Sequence, residues 1–235
     1  MSPIVRRFLA EFLGTGLLVA AVVGSGIMAT NLSDDRGVEL LINALATVAA
    51  LGVLIWTLGP ISGAHFNPAV SLIAVARREI RPGEAAGYVI VQIAGAIAGA
   101  TLANVMFSLP AWSASTHTRT STGLWIGEIV ATAGLLLVIG AITRTGHAHL
   151  GPVLVPAWIG AAYFFTASTS FANPAVTIGR AFSDTFAGIS PASVPLFIVF
   201  QLIGAVIGAA LTEVLYPRKR PQPLDLPEAV HDTHA

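Results

Sequence analysis

Residues 62–70 read Ser62-Gly63-Ala64-His65-Phe66-Asn67-Pro68-Ala69-Val70, and a second stretch reads Phe171-Ala172-Asn173-Pro174-Ala175-Val176. Each contains Asn-Pro-Ala-Val at the head of a short apolar run, 66–76 and 171–182. Proline suits the first helical position because its missing N–H would have had no partner there. Asparagine just before it is a favoured helix cap. A helix of about ten residues is ~15 Å long, half of the ~30 Å hydrocarbon core of a bilayer. One Asn-Pro is as readily a turn. Two copies, each opening a half-span, point instead to a membrane protein with two half-helices. Non-helical backbone survives at membrane depth only when buried in protein or lining a wet cavity, so the two half-spans imply a cavity between them.

The composition agrees. Hydrophobic residues make up 54% of the 235 and charged residues 10%, far below the ~25% of soluble domains. A surface of this size cannot be coated in polar groups, so the lipid bilayer is the expected solvent. Zero formal net charge gives no reason to expect nucleic acid. The absence of cysteine excludes disulfides, thiolate chemistry and cysteine-based metal sites. Arg6 and Arg7 ahead of an apolar run suggest a signal peptide, but Glu11 interrupts that run and no cleavage site leading to a soluble domain follows. The segment reads as a retained first span.

Long apolar runs at 8–29, 38–58, 84–107, 123–143, 152–167 and 192–215 predict six spans, the fifth short. Residues 217–235, rich in proline and charge, read as a disordered tail. The expected fold is an all-α membrane protein of six transmembrane helices plus two re-entrant half-helices, a single channel domain over 1–216. Its halves, 1–107 and 123–216, repeat one another. Glu11 and Thr15 in span one match Glu128 and Thr132 in span four. The two Asn-Pro-Ala-Val motifs correspond, and Gln92 and Gly95 match Gln201 and Gly204. Three spans per half make the second half inverted, which places a shared site at the midplane. An even number of spans puts both termini on one side, with Arg6, Arg7, Arg77, Arg78, Arg81, Arg144, Arg218, Lys219 and Arg220. Arg36 and Arg119 fall opposite, so the termini are expected to be cytoplasmic.

If each asparagine oxygen caps its helix, the amide is left as a donor toward the cavity. The positive ends of two half-helix dipoles at the midplane repel cations. Buried carboxylates such as Glu11 and Glu128 need partners, unless they lie near span ends in the interface. Gln92 and Gln201 read as helix bridges. Gly95, Gly99, Gly204 and Gly208, at four-residue spacing, read as close helix contacts. His147 and His149 share a loop, but two histidines do not make a metal site. His231 and His234 lie in the tail. No cofactor or metal is expected.

The segment Ser62–Val70, the Ala10-Glu11-Phe12-Leu13-Gly14-Thr15 segment, both Glu/Thr pairs and the second Asn-Pro-Ala resemble the major intrinsic protein family, the aquaporins and glycerol facilitators, over roughly residues 8 to 216. The resemblance implies a pore in each subunit of a homotetramer, passing water and small neutral solutes, in a bacterial inner membrane. Asn67, Pro68, Ala69, Asn173, Pro174 and Ala175 would be its pore motifs. Glu11 and Glu128 would support the half-helix loops, and His65 would line a vestibule.

The chain departs from the family where most members carry an arginine directly after the second motif. Val176 stands there, which removes a fixed charge and several donors from the narrowest point. Counting back from the motifs places Thr47 and Ser170 in the filter, with the fifth-span position on Ala161 or Ala167. That set holds no large side chain, so a wide pore is expected. Arg180 follows Val176 by four residues on the same helical face and either reaches the pore or makes a headgroup or inter-helix contact. Phe-Ala-Asn-Pro-Ala-Val followed by an arginine resembles a small bacterial branch associated with arsenite. That resemblance implies passage of undissociated arsenous acid, a polyhydroxyl solute close to glycerol in size. A water-selective channel is the alternative. An ion-coupled transporter also uses inverted repeats, but no second intramembrane charge cluster is present. Catalysis has no candidate residues, since neither a Ser/His nor a paired-Asp constellation lies within the spans.

Overall fold

The structure is a computed structural model describing residues 1–218, so the tail expected over 217–235 lies almost wholly outside the described residues. Eight α-helices follow in order: α1 (Pro3–Leu32), α2 (Arg36–Ser62), α3 (Pro68–Ala76), α4 (Pro82–Met106), α5 (Thr122–Arg144), α6 (Gly151–Phe165), α7 (Pro174–Arg180) and α8 (Val194–Leu215). Among the described residues there is no strand. Counting the 3₁₀ turns that lead into α6 and α8, six helices are long and apolar enough to cross a membrane, and each contains one expected span almost in full. The remaining two, α3 and α7, are the half-helices, of 9 and 7 residues. Leu45, Val53, Ile90, Val206 and Val214 stand exposed on the outside of the bundle, where lipid rather than water must meet them.

The helices start where the chain supplies caps. The Asp35 carboxylate accepts from the N–H groups of Gly37 and Val38 at 2.8 and 3.0 Å, and the Ser121 hydroxyl accepts from Leu124 N–H. Gly63, at φ 88°, ends α2 in a left-handed conformation that glycine adopts without steric cost.

Two interfaces hold the halves. Helix α1 packs on α4, and α5 packs on α8 in the same way. A Cβ on Gly99 would stand 2.0 Å from the carbonyl oxygen of Gly16, and one on Gly208 would stand 2.2 Å from that of Ala133. Gly95 and Gly204 meet the carbonyls of Phe12 and Ile129 just as closely, at 2.3 and 2.5 Å. Backbone lies against backbone, as the four-residue glycine spacing leads one to expect. Helices α2 and α6 join the halves, α3 touches α8, and α7 touches α1 and α4. Each half-helix therefore leans on spans from the opposite half.

The two ends of the bundle differ. At the end bearing the N-terminus and the last helical residues, Arg7 pairs with Glu84 at 2.5 Å, Arg144 pairs with Glu213, and Arg218 donates to the Arg77 carbonyl. At the far end, the connection between α4 and α5 runs over the segment that follows α7. Ser113 and Ser115 N–H donate to the Phe182 and Ala181 carbonyls. The Asp184 carboxylate accepts from the N–H and hydroxyl of Thr116 at 2.7 and 2.9 Å. These bonds hold the Asp184 carboxyl below the usual carboxylate range.

Candidate functional site: the lumen between the half-helices

The half-helices meet at their N-termini. Asn67 Oδ1 accepts from Ala69 N–H at 2.9 Å, and Asn173 Oδ1 accepts from Ala175 and Val176 N–H at 3.0 and 3.2 Å. Both oxygens are therefore caps. The amides are shared more than the sequence suggests: Asn67 Nδ2 donates to the Ala172 carbonyl at 2.8 Å, and Asn173 Nδ2 donates to the Phe66 carbonyl at 2.7 Å. Each amide has two hydrogens, so one locks the opposite loop and one is left for the lumen, which both asparagines line.

The loops entering the half-helices are strained. Ala64 and Phe66 in the first, and Ser170 and Ala172 in the second, have φ of 50°, 47°, 53° and 48°. Such conformations cost about 1–3 kcal/mol each for residues other than glycine. Fully buried carboxylates hold them in place. Glu11 accepts from Ser62 Oγ at 2.6 Å, His65 N–H at 3.0 Å, Phe66 N–H at 2.6 Å and Gln92 Nε2 at 2.8 Å. Glu128 accepts from Phe171 N–H at 3.0 Å, Ala172 N–H at 2.9 Å and Gln201 Nε2 at 2.6 Å. The glutamines go on to Ser71 and Thr177, the fourth residue after each asparagine. Each half thus builds the same chain of carboxylate, glutamine and hydroxyl, in opposite orientation.

Between the motifs lies a cavity of about 270 Å³. Its lining runs from Arg180 and Val176 through Asn173 and Asn67 to Arg77 and Glu79, that is, from the far end to the terminal end. Thr47, Ser170, His65 and Val176 all border it. The His65 ring sits edge-on to Tyr88, and its Nδ1 lies 3.0 Å from Ser71 Oγ.

The fifth-span expectation is corrected. Ala161 and Ala167 are both exposed and neither borders the cavity. The face of α6 that does so carries Val155, Ile159 and Tyr163, at the four-residue spacing of one helical face. Ala161 is two residues from Ile159 and Tyr163, about 200° around the helix, and so points outward. Counting back across a shortened loop misplaced the position, whereas the spacing of Val155, Ile159 and Tyr163 carries the right signal. Tyr163 is large, and its hydroxyl donates to Thr47 Oγ1 at 3.1 Å. The lumen is therefore not bare of bulky side chains, as the four small filter candidates suggested.

Arg180 is held inside the protein. It is 3% exposed, lines the cavity, donates from Nε to the Ala187 carbonyl and lies with its guanidinium carbon 3.4 Å from the centre of the Phe171 ring. Phe171 and Arg119, which stands 5.2 Å from the same ring, carry no sequence signal that marks them for the pore. The rings of His147 and His149 are 6.0 Å apart, and no group of three or more metal-ligating side chains occurs among the described residues.

Six spans, two half-helices meeting tip to tip and a lumen between them define a membrane channel. The chain belongs to the major intrinsic protein family, whose model matches residues 1–171 and 165–233. It is 52% identical over 216 residues to the aquaglyceroporin AqpS of Rhizobium meliloti, covering 92% of each chain. It is 31% identical to aquaporin Z of Brucella melitensis, covering 91% of this chain and 99% of that one. The glycerol uptake facilitator protein-like 6 of Lactiplantibacillus plantarum is 30% identical over 89% of this chain and 98% of its own. Among solved structures, the aquaglyceroporin of Plasmodium falciparum matches with a TM-score of 0.69 over 91% of this chain and 98% of that one, at 23% identity. The protein is a passive membrane channel for small neutral solutes and not an enzyme.

Proposed function

We propose that the channel passes glycerol-like polyols and undissociated arsenous acid, with water as a co-permeant. The observation that carries this reading is Val176, which directly follows the second Asn-Pro-Ala and borders the lumen. A valine there supplies an apolar wall, while Thr47, Tyr163 and the free hydrogens of Asn67 and Asn173 supply polar contacts. A polyol or arsenous acid presents several hydroxyls on a compact neutral body and can meet both kinds of surface. An ion would lose its hydration to few compensating groups and would face the positive ends of α3 and α7. The likeness to an aquaglyceroporin and to a glycerol uptake facilitator-like protein supports the polyol reading.

The working unit in this reading is one channel domain, residues 1–216, in a homotetramer. It sits in a bacterial plasma membrane with both termini in the cytoplasm, in keeping with the arginines clustered at the terminal end. Asn67, Asn173, Thr47, Ser170 and Val176 act on the solute, while Glu11 and Glu128 hold the loops. Stopped-flow light scattering of proteoliposomes with water, glycerol, urea and arsenite tests it. Glycerol and arsenite entry well above that of empty liposomes is expected. Water flux with neither solute would establish the water-selective alternative.

A further inference from the structure

We infer that Arg180 is a displaced selectivity cation, standing one helical turn beyond Val176 and positioned by Phe171. This rests on the polyol-channel reading and adds the residue that sets its size limit and excludes cations.

The position after the second motif has lost any positive charge, yet the lumen has not. Four residues on, about 6 Å along the helix, Arg180 is almost fully buried and borders the same cavity. Such burial costs an arginine much hydration, so its surroundings must hold it for a purpose or by compensating bonds. Only part of that compensation is found. Nε donates to the Ala187 carbonyl, and the flat face lies on the Phe171 ring at 3.4 Å, a cation–π contact. Among the described residues, Nη1 and Nη2 have no protein acceptor, and neither is sealed from the cavity. No carboxylate forms an ion pair with Arg180 there.

A guanidinium has five N–H donors. With one used on Ala187, four remain in a fixed fork, suited to the oxygen of a hydroxylated solute. Phe171 is itself tied down, its N–H donating to Glu128 at 3.0 Å. The carboxylate that holds the second half-helix loop therefore also fixes the surface on which Arg180 lies. Arg119, bonded through Nε to the Gly188 carbonyl at 2.9 Å, brings a second guanidinium to the same ring. Two guanidiniums thus share one ring, and of the two Arg180 borders the cavity.

The test uses full-length protein in proteoliposomes, with glycerol, the five-carbon polyol ribitol and sodium ions as probes. Arg180→Ala removes the bulk of the guanidinium from the lumen together with its charge, so it should raise the ribitol-to-glycerol permeability ratio about tenfold and should admit a sodium conductance absent in the parent. Arg180→Lys should keep sodium out while raising the ratio, because the charge stays and the fork is lost. If Arg180→Ala does not assemble, Phe171→Leu carries the test, since it keeps the arginine but removes the face beneath it; the ratio should again rise. An unchanged ratio in whichever of these variants assembles, with glycerol flux intact, overturns the inference. A parent channel that passes no glycerol would instead overturn the reading on which it rests.

Discussion

Asn173 donates its amide to the carbonyl oxygen of Phe66 at 2.7 Å, across the plane where the two half-helices meet. Asn67 returns the bond to Ala172. The motif asparagines are therefore both pore groups and the fastener between the halves. Replacing either by aspartate sets a carboxylate against a carbonyl oxygen and offsets the positive helix ends. Asn67→Asp and Asn173→Asp should each melt earlier in detergent and show cation leak under voltage clamp. Parent-like melting without leak in both would contradict this.

Glu11 and Glu128 bring only acceptors to loops that present only donors. A glutamine keeps the shape but turns an NH₂ toward one of those donors. Each charge-assisted bond is worth about 1.5–3 kcal/mol. Glu11→Gln and Glu128→Gln should therefore lower the melting temperature of solubilised protein by several degrees or reduce its yield. Glu11 and Glu128 hold equivalent loops through equivalent backbone and glutamine donors, so the two losses should be similar. Unchanged stability in both would mean that the loops hold their left-handed residues unaided.

The glycine contacts are testable by one methyl group. Gly99→Ala and Gly208→Ala each drive a Cβ into a backbone carbonyl at 2.0 and 2.2 Å. Overpacking of this kind costs about 1–3 kcal/mol. Gly83→Ala, whose Cβ would meet nothing within 4 Å, is the control and should be neutral. Equal melting temperatures for all three would show that the α1–α4 and α5–α8 interfaces are looser than described.

Asp184 gives the far-end connection a pH dependence. Its carboxyl is held below its ordinary value by Thr116, so the folded form favours the charged state. The stabilisation is present above the unfolded value, near pH 4, and is lost as pH falls through the lower folded value. The protection factor of the Thr116 amide, its exchange relative to the intrinsic rate at the same pH, should be high at neutral pH and fall in acid, and Asp184→Asn should lower it throughout. A pH-independent protection in the parent would show that this bond does not hold the segment.

Much of the architecture was legible because it rests on length and polarity. Six runs long enough to cross, two too short and a repeated Glu–Asn–Gln pattern leave few other arrangements. Burial of Glu11 and Glu128 called only for some partner; that the partners are the half-helix loops was implied by the family resemblance. Two things were hidden. The asparagine cross-bonds need the relative placement of two loops 106 residues apart, which local spacing does not encode. The α6 contribution was misplaced on Ala161 and Ala167 because motif-counting was carried across a shortened loop, when the Val155–Ile159–Tyr163 face held the answer. Arg119 comes to the Phe171 ring from a loop without periodicity, so its place depends on tertiary bonds to Gly188 and Phe186.

Val176 lines the lumen directly after the second motif, and in the proposed reading it leaves the constriction open to polyols. The most direct measurement is glycerol and water permeability of proteoliposomes bearing the parent or Val176→Arg. A guanidinium there would fill part of the lumen and add donors, one turn from Arg180. Glycerol permeability should fall about tenfold or more, equivalent to ~1.4 kcal/mol or more in the barrier, while water permeability falls less. Glycerol and water fluxes both equal to the parent's, in a variant that reaches the membrane in normal amount, would contradict the account and place the constriction elsewhere.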